Sequence, residues 1–594
     1  MGKVHIIQSN FSGGEIDPKL RGNVGIPRYQ NGLETLLNAY PLITGGATRR
    51  GGLRFVDNEG TGKTLKLVPF TIFKKDVTPA VLQGYVVELR SDNLIFFYTN
   101  VAIIKSGGVP YSIASPFIDA DLTKVRYAQF NNVLYLVHPD FAPQRLVRTS
   151  DVNWGITAVA FTQPATPHWD ASTGYPSALT FFEQRMILAA TKTDPQTIWG
   201  SQSGVITNLV TGTGDSDPFK FTPSAATSNI VHLAAIKHIL VETYDKELSI
   251  QGGIEKPLTP TNVQIKELAG YGCHEKVKPL VVGGELLFVT RHGKKLRALS
   301  YAIEDDRFRA PDVSIVSGHL TEGGIEQMAY TVEPIPMIWA VTTDGDLLTA
   351  TFDRDQDVIA WAKHATDGAF KDVVVIPYNG TDQVWVAVER TVNYVTNTYV
   401  EVLDPSLNTD SAVAGEDSSG KATWTGLTHL EGKTVDIVAD GAVMPSQVVT
   451  GGQITLPRNA SAVEVGLHYE SIIKDLPPGI PTAIGTAQGQ AVSVNKVIVR
   501  LHNSAGCEIN GEVVPFKQYG EDFFAKYMKN FLADGGYYAD GSISAVGGEK
   551  PYLFTGDKSI NTLGWDKKGV VTIKQTQPLP FTVLAIIKEV TING

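Results

Sequence analysis

The sequence predicts a mainly β protein: a central β-propeller of six or seven blades, an extended N-terminal arm before it, and a β-sandwich or barrel-like domain after it. Three observations carry this prediction. Short runs of β-branched and aromatic residues, bounded by Gly, Asn and Asp, dominate from about residue 64 to 404. Their starts recur about every 45 to 60 residues, close to the spacing of four-stranded propeller blades. Polar turns suited to tight hairpins sit inside them, as in Phe130-Asn131-Asn132-Val133, Val282-Gly283-Gly284-Glu285 and Thr343-Asp344-Gly345-Asp346. The same periodicity also fits a serial array of β-sandwiches, which is the alternative architecture.

The first element is the arm, residues 1–60. It contains Ser9-Asn10-Phe11-Ser12-Gly13-Gly14-Glu15-Ile16-Asp17-Pro18 and ends in Gly45-Gly46-Ala47-Thr48-Arg49-Arg50-Gly51-Gly52-Leu53-Arg54-Phe55. The four glycines of that last stretch make a poor helix or strand interior. The interleaved arginines offer guanidinium forks for carboxylates or phosphates, so this backbone is expected to lie close against another surface. An exposed turn ahead of a strand is the plainer reading.

The propeller is assigned to residues 61–405, with apolar cores at 65–72 together with 85–98, then 125–137, 179–199, 230–250, 277–299, 328–352 and 373–402. Residues 406–425 turn to Ser, Asp and Gly, as in Gly415-Glu416-Asp417-Ser418-Ser419-Gly420, and are expected to be a linker or exposed loop. The remainder, 426–594, reads as a compact β domain. Alternation around Asp440-Gly441 and Gly451-Gly452 predicts two hairpins, and strands resume at 492–502 and 570–573. Phe523, Phe524, Tyr527, Met528 and Phe531 fall at helical spacing within 522–532, predicting one short helix packed on the sheet, followed by a surface loop over 534–548.

At 594 residues the chain should hold two to four domains, and 43% hydrophobic with 19% charged residues suits several folded cores. No run approaches the roughly 18 apolar residues of a membrane span, and the N-terminus lacks the apolar core of a signal peptide, so a soluble chain made in the cytoplasm is expected. Cys273 and Cys507 stand far apart without metal-ligand spacing, so neither a disulfide framework nor a zinc site is signalled. A net charge of −10 argues against a tight nucleic-acid binder.

Candidate catalytic clusters do not assemble in the sequence. Gly60-Thr61-Gly62-Lys63-Thr64 resembles the end of a phosphate-binding loop, but Asp57 holds the position of the first glycine and a strand follows. Asp353-Arg354-Asp355-Gln356-Asp357 has the early spacing of a calcium loop, with Val358 and His364 where Gly and Glu belong. Cys273-His274-Glu275 places nucleophile and base on opposite faces of a strand. Glu304, Asp305 and Asp306 read as a charged turn beside Arg307 and Arg309. The expectation is a protein that is not an enzyme and carries no cofactor or metal.

The arm, together with Phe181-Phe182-Glu183-Gln184-Arg185-Met186-Ile187-Leu188, Ile198-Trp199-Gly200-Ser201, Asp217-Pro218-Phe219, the stretch from Phe352 to Trp361, and Gln577-Pro578-Leu579-Pro580-Phe581, resembles the nozzle, or tail tubular protein B, family of short-tailed bacteriophages. The resemblance covers most of the chain in order, and residues 515–550 fall outside it. It implies a structural protein of the virion tail, made in the host cytoplasm. Such a protein forms a ring, a hexamer, beneath the head-to-tail adaptor ring, beside tail fibres or spikes. It closes the DNA channel and passes double-stranded DNA during ejection. On that reading the arm docks on a neighbour or on the adaptor, with Arg49, Arg50 and Arg54 as charged anchors and Gly45 and Gly46 allowing close approach. Deleting residues 1–55 should then leave a folded protein that no longer assembles. The alternative is a host-surface carbohydrate-binding or depolymerising propeller, with Trp154, His168 and Trp169 as the nearest aromatic platform.

Overall fold

The computed structural model describes residues 3–592, apart from 75–80, 163–168, 225–227, 254–255, 303–306, 480, 483–484, 487–490, 517–537, 540–541, 544–552, 563–564 and 566–567. The described residues form β-strands joined by turns and single turns of 3₁₀ helix. Each of the seven apolar cores read from the sequence falls in a different sheet and is antiparallel within its blade, the sixth and seventh sheets running on into strands outside the propeller. The innermost strands of these sheets are Leu65–Lys74, Arg126–Phe130, Ala178–Phe182, Ile230–Ala235, Leu280–Val282, Ile325–Thr331 and Ala369–Tyr378. Asn131 and Gly283-Gly284 take left-handed backbone at the expected hairpin turns, where asparagine and glycine tolerate it.

Apolar side chains fill the space between each pair of successive sheets, and these contacts make the architecture a ring. Phe70 of blade 1 packs with Leu136 of blade 2, and Val137 of blade 2 with Leu188 of blade 3. Ile187 meets Val241 of blade 4, and Leu240 meets Phe288 of blade 5. Val289 shares a cluster with Trp361 of blade 6, and Trp339 with Val386 of blade 7. Trp385 and Val400 of blade 7 then pack on Val86 and Tyr98 of blade 1. Seven interfaces for seven blades, the last returning to the first, define a closed seven-bladed propeller. A sandwich array has no such return contact.

The ring is fastened by a strand from the wrong end of the sequence. Blade 7 takes three strands from Ala369–Tyr378, Thr381–Val392 and Val395–Asp404, and its fourth is Gly52–Thr61, antiparallel to the third with Val402 opposite Arg54 and Asp404 opposite Gly52. The expected boundary at residue 60 is therefore corrected: the propeller begins at Gly52. A blade left at three strands would expose a hydrogen-bonding edge, and the preceding segment is the nearest chain able to cover it. Gly52 is required by contact, since a Cβ there would lie 2.2 Å from the Thr409 carbonyl oxygen. A polar cluster ties this strand to blade 1. The Tyr98 hydroxyl lies 2.6 Å from a Glu88 carboxyl oxygen and 2.9 Å from one of Glu59, and Arg90 pairs with Glu59.

The expected linker at 406–425 is also corrected, because Asp410–Thr425 is a strand. It pairs with Gln453–Leu467, which pairs on its other side with Thr434–Ala439, and that strand forms the expected hairpin with Ala442–Val448 through Asp440-Gly441. The second expected hairpin, around Gly451-Gly452, reduces to a single bridge between Thr450 and Gln453. Trp424, Leu430, Ile437, Ile454 and Val465 form the core of this small domain. Composition misled here: a Ser- and Gly-rich stretch has poor strand propensity, but a long neighbouring strand supplies the ladder that holds it.

The arm is no free extension. Lys3–Gln8 and Ala47–Arg49 pair with Thr582–Ile592, which also pairs with Val492–Ser504. Gly32–Leu37 pairs with Ser471–Asp475, and that strand with Thr572–Gln575. Phe11, Leu33, Leu36, Val497, Val499, Ile573 and Ile586 are buried between these two sheets. The C-terminal β-sandwich is thus built from both ends of the chain, and Leu37 opposite Lys363 joins one of its sheets to the outer strand of blade 6. The helix expected at 522–532 lies outside the described residues, as does nearly all of the loop expected at 534–548.

Candidate functional site

The five residues expected as assembly contacts converge, but on their own chain. Arg49 is buried, and its guanidinium donates to the carbonyls of Gln577 (3.0 Å), Gln575 (3.3 Å), Asn408 (3.1 Å) and Tyr469 (2.9 Å). Arg50, also buried, makes a bidentate pair with Asp410 at 2.7 and 2.6 Å and donates to Asn38 Oδ1 and the Ala365 carbonyl. The two guanidinium carbons lie 4.1 and 3.9 Å from the centre of the Tyr469 ring. Arg54 forks onto Asp404 at 2.9 and 2.7 Å beside a cleft of about 420 Å³ lined by Glu416 and Glu464. Gly45 and Gly46 are buried in the hairpin that carries Arg49, where the Gly45 carbonyl accepts from the Phe11 amide at 2.8 Å. The glycines and arginines do mark close backbone approach and carboxylate recognition. Their partner is the chain's own propeller and sandwich, so Arg49 and Arg50 do not serve as exposed docking anchors.

The other expected clusters resolve into structure. Asp353 accepts from the amides of Asp355 and Gln356 in a hairpin turn. Burial pushes the Cys273 thiol well above its ordinary range, which keeps it protonated. Trp154 is buried and stacked on Phe97 at 4.2 Å, so it belongs to the blade 1 and 2 core, while Trp169 packs edge-on against Trp199. His168 and the carboxylates at 304–306 lie outside the described residues. Arg185 donates to four carbonyls, those of Ser201, Asp215, Ser216 and Asp217, and thereby holds the loop before the last strand of blade 3. Among the described residues no group of three or more His, Cys, Asp or Glu is placed to hold a metal ion, and no helix is long and apolar enough to cross a membrane.

Two sites that sequence reading missed lie inside the propeller. One is at its axis. First strands of successive blades run side by side around the axis, so residues near their starts share one end of it. That end is capped. Lys278, just before the first strand of blade 5, reaches blade 2, where its ammonium donates to the Tyr127 carbonyl at 3.0 Å and sits 3.8 Å from the Tyr127 ring centre. Arg126 of blade 2 donates back to the Glu275 carbonyl, and the His232 Nε2 of blade 4 lies 3.1 Å from the His274 carbonyl oxygen. Lys66, second in the first strand of blade 1, completes the group.

Lys66, Arg126 and Lys278 are half-buried at this end of the axis. Burial, opposed only in part by Asp372, lowers the affinity of Lys66 for its proton. Lys278 is pushed down to about 8 by burial and then by repulsion from Lys66 and Arg126. Asp372, the facing carboxylate, is occupied by the amides of Leu67 and Val373 at 2.7 and 2.8 Å.

The second missed site is a carboxyl pair. Glu242 and Glu247 face each other across the hairpin of blade 4, both fully buried against blade 5. Neither oxygen of Glu242 has a hydrogen-bond partner, and Glu247 accepts from the Tyr271 amide at 3.1 Å. Burial first, and for Glu242 the neighbouring carboxyl next, raises both above the ordinary carboxylic range.

No family model and no curated protein matches the chain. Solved structures with a similar course of chain include U3-55K (9% identity, 59% of this chain and 98% of that one, TM-score 0.35). Others are the Neurospora crassa Pan2 WD40 domain (7%, 59% and 97%, 0.33) and the RRP9 WD40 repeats (9%, 60% and 100%, 0.37). At TM-scores this low the propeller assignment rests on the blade pairing itself.

Proposed function

We propose that the protein is a structural subunit of the tail of a short-tailed bacteriophage, forming with copies of itself the nozzle ring below the head-to-tail adaptor. The family resemblance of the sequence supports this reading. The observation that carries it physically is the double closure of the chain. Gly52–Thr61 completes the last blade, and Lys3–Gln8 and Ala47–Arg49 pair with the strand at Thr582–Ile592. A ring of blades without open ends, bolted to a sandwich made from both termini, resists being pulled apart at any single edge. A wall around pressurised DNA needs that property. The DNA path on this reading lies between subunits of the ring, because the axis of each propeller is spanned by Lys278 and Arg126. A closed ring of identical subunits requires heterologous contacts whose rotation returns to the start.

The test mixes the purified full-length chain with its cognate adaptor ring and images the mixture by electron microscopy. Annular particles of the chain capping the adaptor are expected. A chain that stays monomeric with the adaptor at high concentration overturns the proposal.

A further inference from the structure

The capped end of the propeller axis holds more positive charge than its surroundings neutralise. Lys66 of blade 1, Arg126 of blade 2 and Lys278, just before blade 5, gather at this end of the axis, where Asp372 is the facing carboxyl. Asp372 already accepts two backbone amides, and burial favours its protonated form. Glu275 contributes its backbone carbonyl to Arg126 while its side chain is exposed. Asp121, at the entrance to blade 2, is exposed and occupied by Thr123 and Lys124.

Donors at this end remain unspent. Lys66 has no hydrogen-bond or ion-pair partner among the described residues, and Lys278 uses one of its three N–H groups on Tyr127, while Arg126 gives its terminal nitrogens to the carbonyls of Thr123, Val125 and Glu275 and keeps its charge without a carboxylate. Half-buried cations with no carboxylate bonded to them gain more from a bound anion than fully hydrated ones do. Three basic side chains face a carboxyl that burial drives towards its neutral form, so the charge they carry is left for a bound anion to offset.

We propose that this end of the axis binds a phosphate group, held by Lys66, Arg126 and Lys278 beside the segment from His274 to Lys278. The bound dianion pairs with donors from blades 1 and 2 and from the segment leading into blade 5, so it ties the centre of the ring together much as the closing strand ties its rim. Inorganic phosphate and the phosphate of a nucleotide share the chemistry recognised here. Binding also restores the protons that Lys66 and Lys278 hold weakly, so it is accompanied by proton uptake above neutral pH.

The test titrates the full-length chain by calorimetry and thermal unfolding at constant ionic strength, with sodium phosphate in one arm, adenosine monophosphate in a second and sodium chloride as reference. Phosphate is expected to bind and to raise the melting temperature above the chloride value. Tighter binding of the nucleotide names the nucleotide as the source, and equal or weaker binding names the free ion. Lys66→Met and Lys278→Met are each expected to weaken binding about 10- to 100-fold, the loss of one charge-assisted hydrogen bond. Lys371→Met, on an exposed face of blade 7, is expected to change nothing.

Lys66→Met gives a second readout. Because Lys66 has no partner to lose, the variant should melt at or above the wild-type temperature in phosphate-free buffer and below it in saturating phosphate. Absence of binding to the wild type in both arms up to roughly tens of millimolar overturns the proposal, and so does equal binding by wild type and Lys66→Met.

Discussion

Replacing Glu242 by Gln should stabilise the protein at neutral pH and leave it almost unchanged in mild acid. A free glutamate carboxyl titrates near 4.5; in the folded chain burial and the facing carboxyl raise Glu242 well above that, and Glu247 rises to about 7. Between those values the folded chain keeps protons that the unfolded chain has released. Stability supplied by the protonated pair is therefore complete below pH 4.5 and falls as pH rises towards 7. One retained proton corresponds to a slope of ~1.4 kcal/mol per pH unit, so Glu242 alone accounts for at most about 3 kcal/mol across this window.

Glutamine keeps the shape and neutrality of the protonated acid without its titration. The difference in stability between Glu242→Gln and wild type should then grow in favour of the variant from near zero at pH 4.5, reaching at most about 3 kcal/mol at pH 7. Buried neutral His429, held down to about 4 chiefly by burial, gives the opposite slope in both proteins and cancels in the comparison. Urea midpoints measured for both proteins from pH 4.5 to 7.5 read this directly. A difference that stays constant across the range would refute the protonated-pair reasoning.

Two further outcomes follow from the way the ends are fastened. Deleting residues 1–55 removes four of the ten residues of the closing strand and the arm's strands from the sandwich, so the truncated chain is expected to be insoluble or to lack a cooperative melting transition. A soluble, cooperatively folded truncation seen by circular dichroism would show that the weave is dispensable. Arg50→Met leaves Asp410 buried without its partner and should cost about 3–5 kcal/mol, most of which Arg50→Met combined with Asp410→Leu recovers. A single variant whose melting temperature matches wild type would sink the clip described for Arg50.

Much of the propeller is legible in the sequence because each blade satisfies itself locally. Strand, turn and strand lie within a few dozen residues, and the seven apolar runs map one to one onto seven blades. Pairings between distant segments are not legible. Asn58 opposite Tyr399, and Ile6 opposite Lys588, span most of the chain, and no local pattern in either partner announces the other. The Gly-Arg stretch shows the limit most clearly. Its chemistry was readable as close approach plus guanidinium recognition, but whether the recognised surface belongs to the same chain or another depends on Asp410 and Tyr469, more than 350 residues away in the fold's own sandwich and small domain. The axial cations and the Glu242–Glu247 pair escaped for a related reason. In each strand they look like ordinary polar positions, and only ring closure brings Lys66, Arg126 and Lys278 together.

The same closure bears on where a partner can dock. Arg49, Arg50 and Arg54 have already spent donors on Gln577, Asn408, Asp410 and Asp404 and are not free to recruit a neighbour, and releasing the arm would open blade 7 and the sandwich together. Assembly through a swapped arm would therefore have to rebuild every one of those bonds in trans. Contacts made by surfaces that stay outside both cores carry no such penalty, because the subunit can fold completely before it meets another copy. A ring built from this chain is accordingly expected to assemble from finished, rigid monomers.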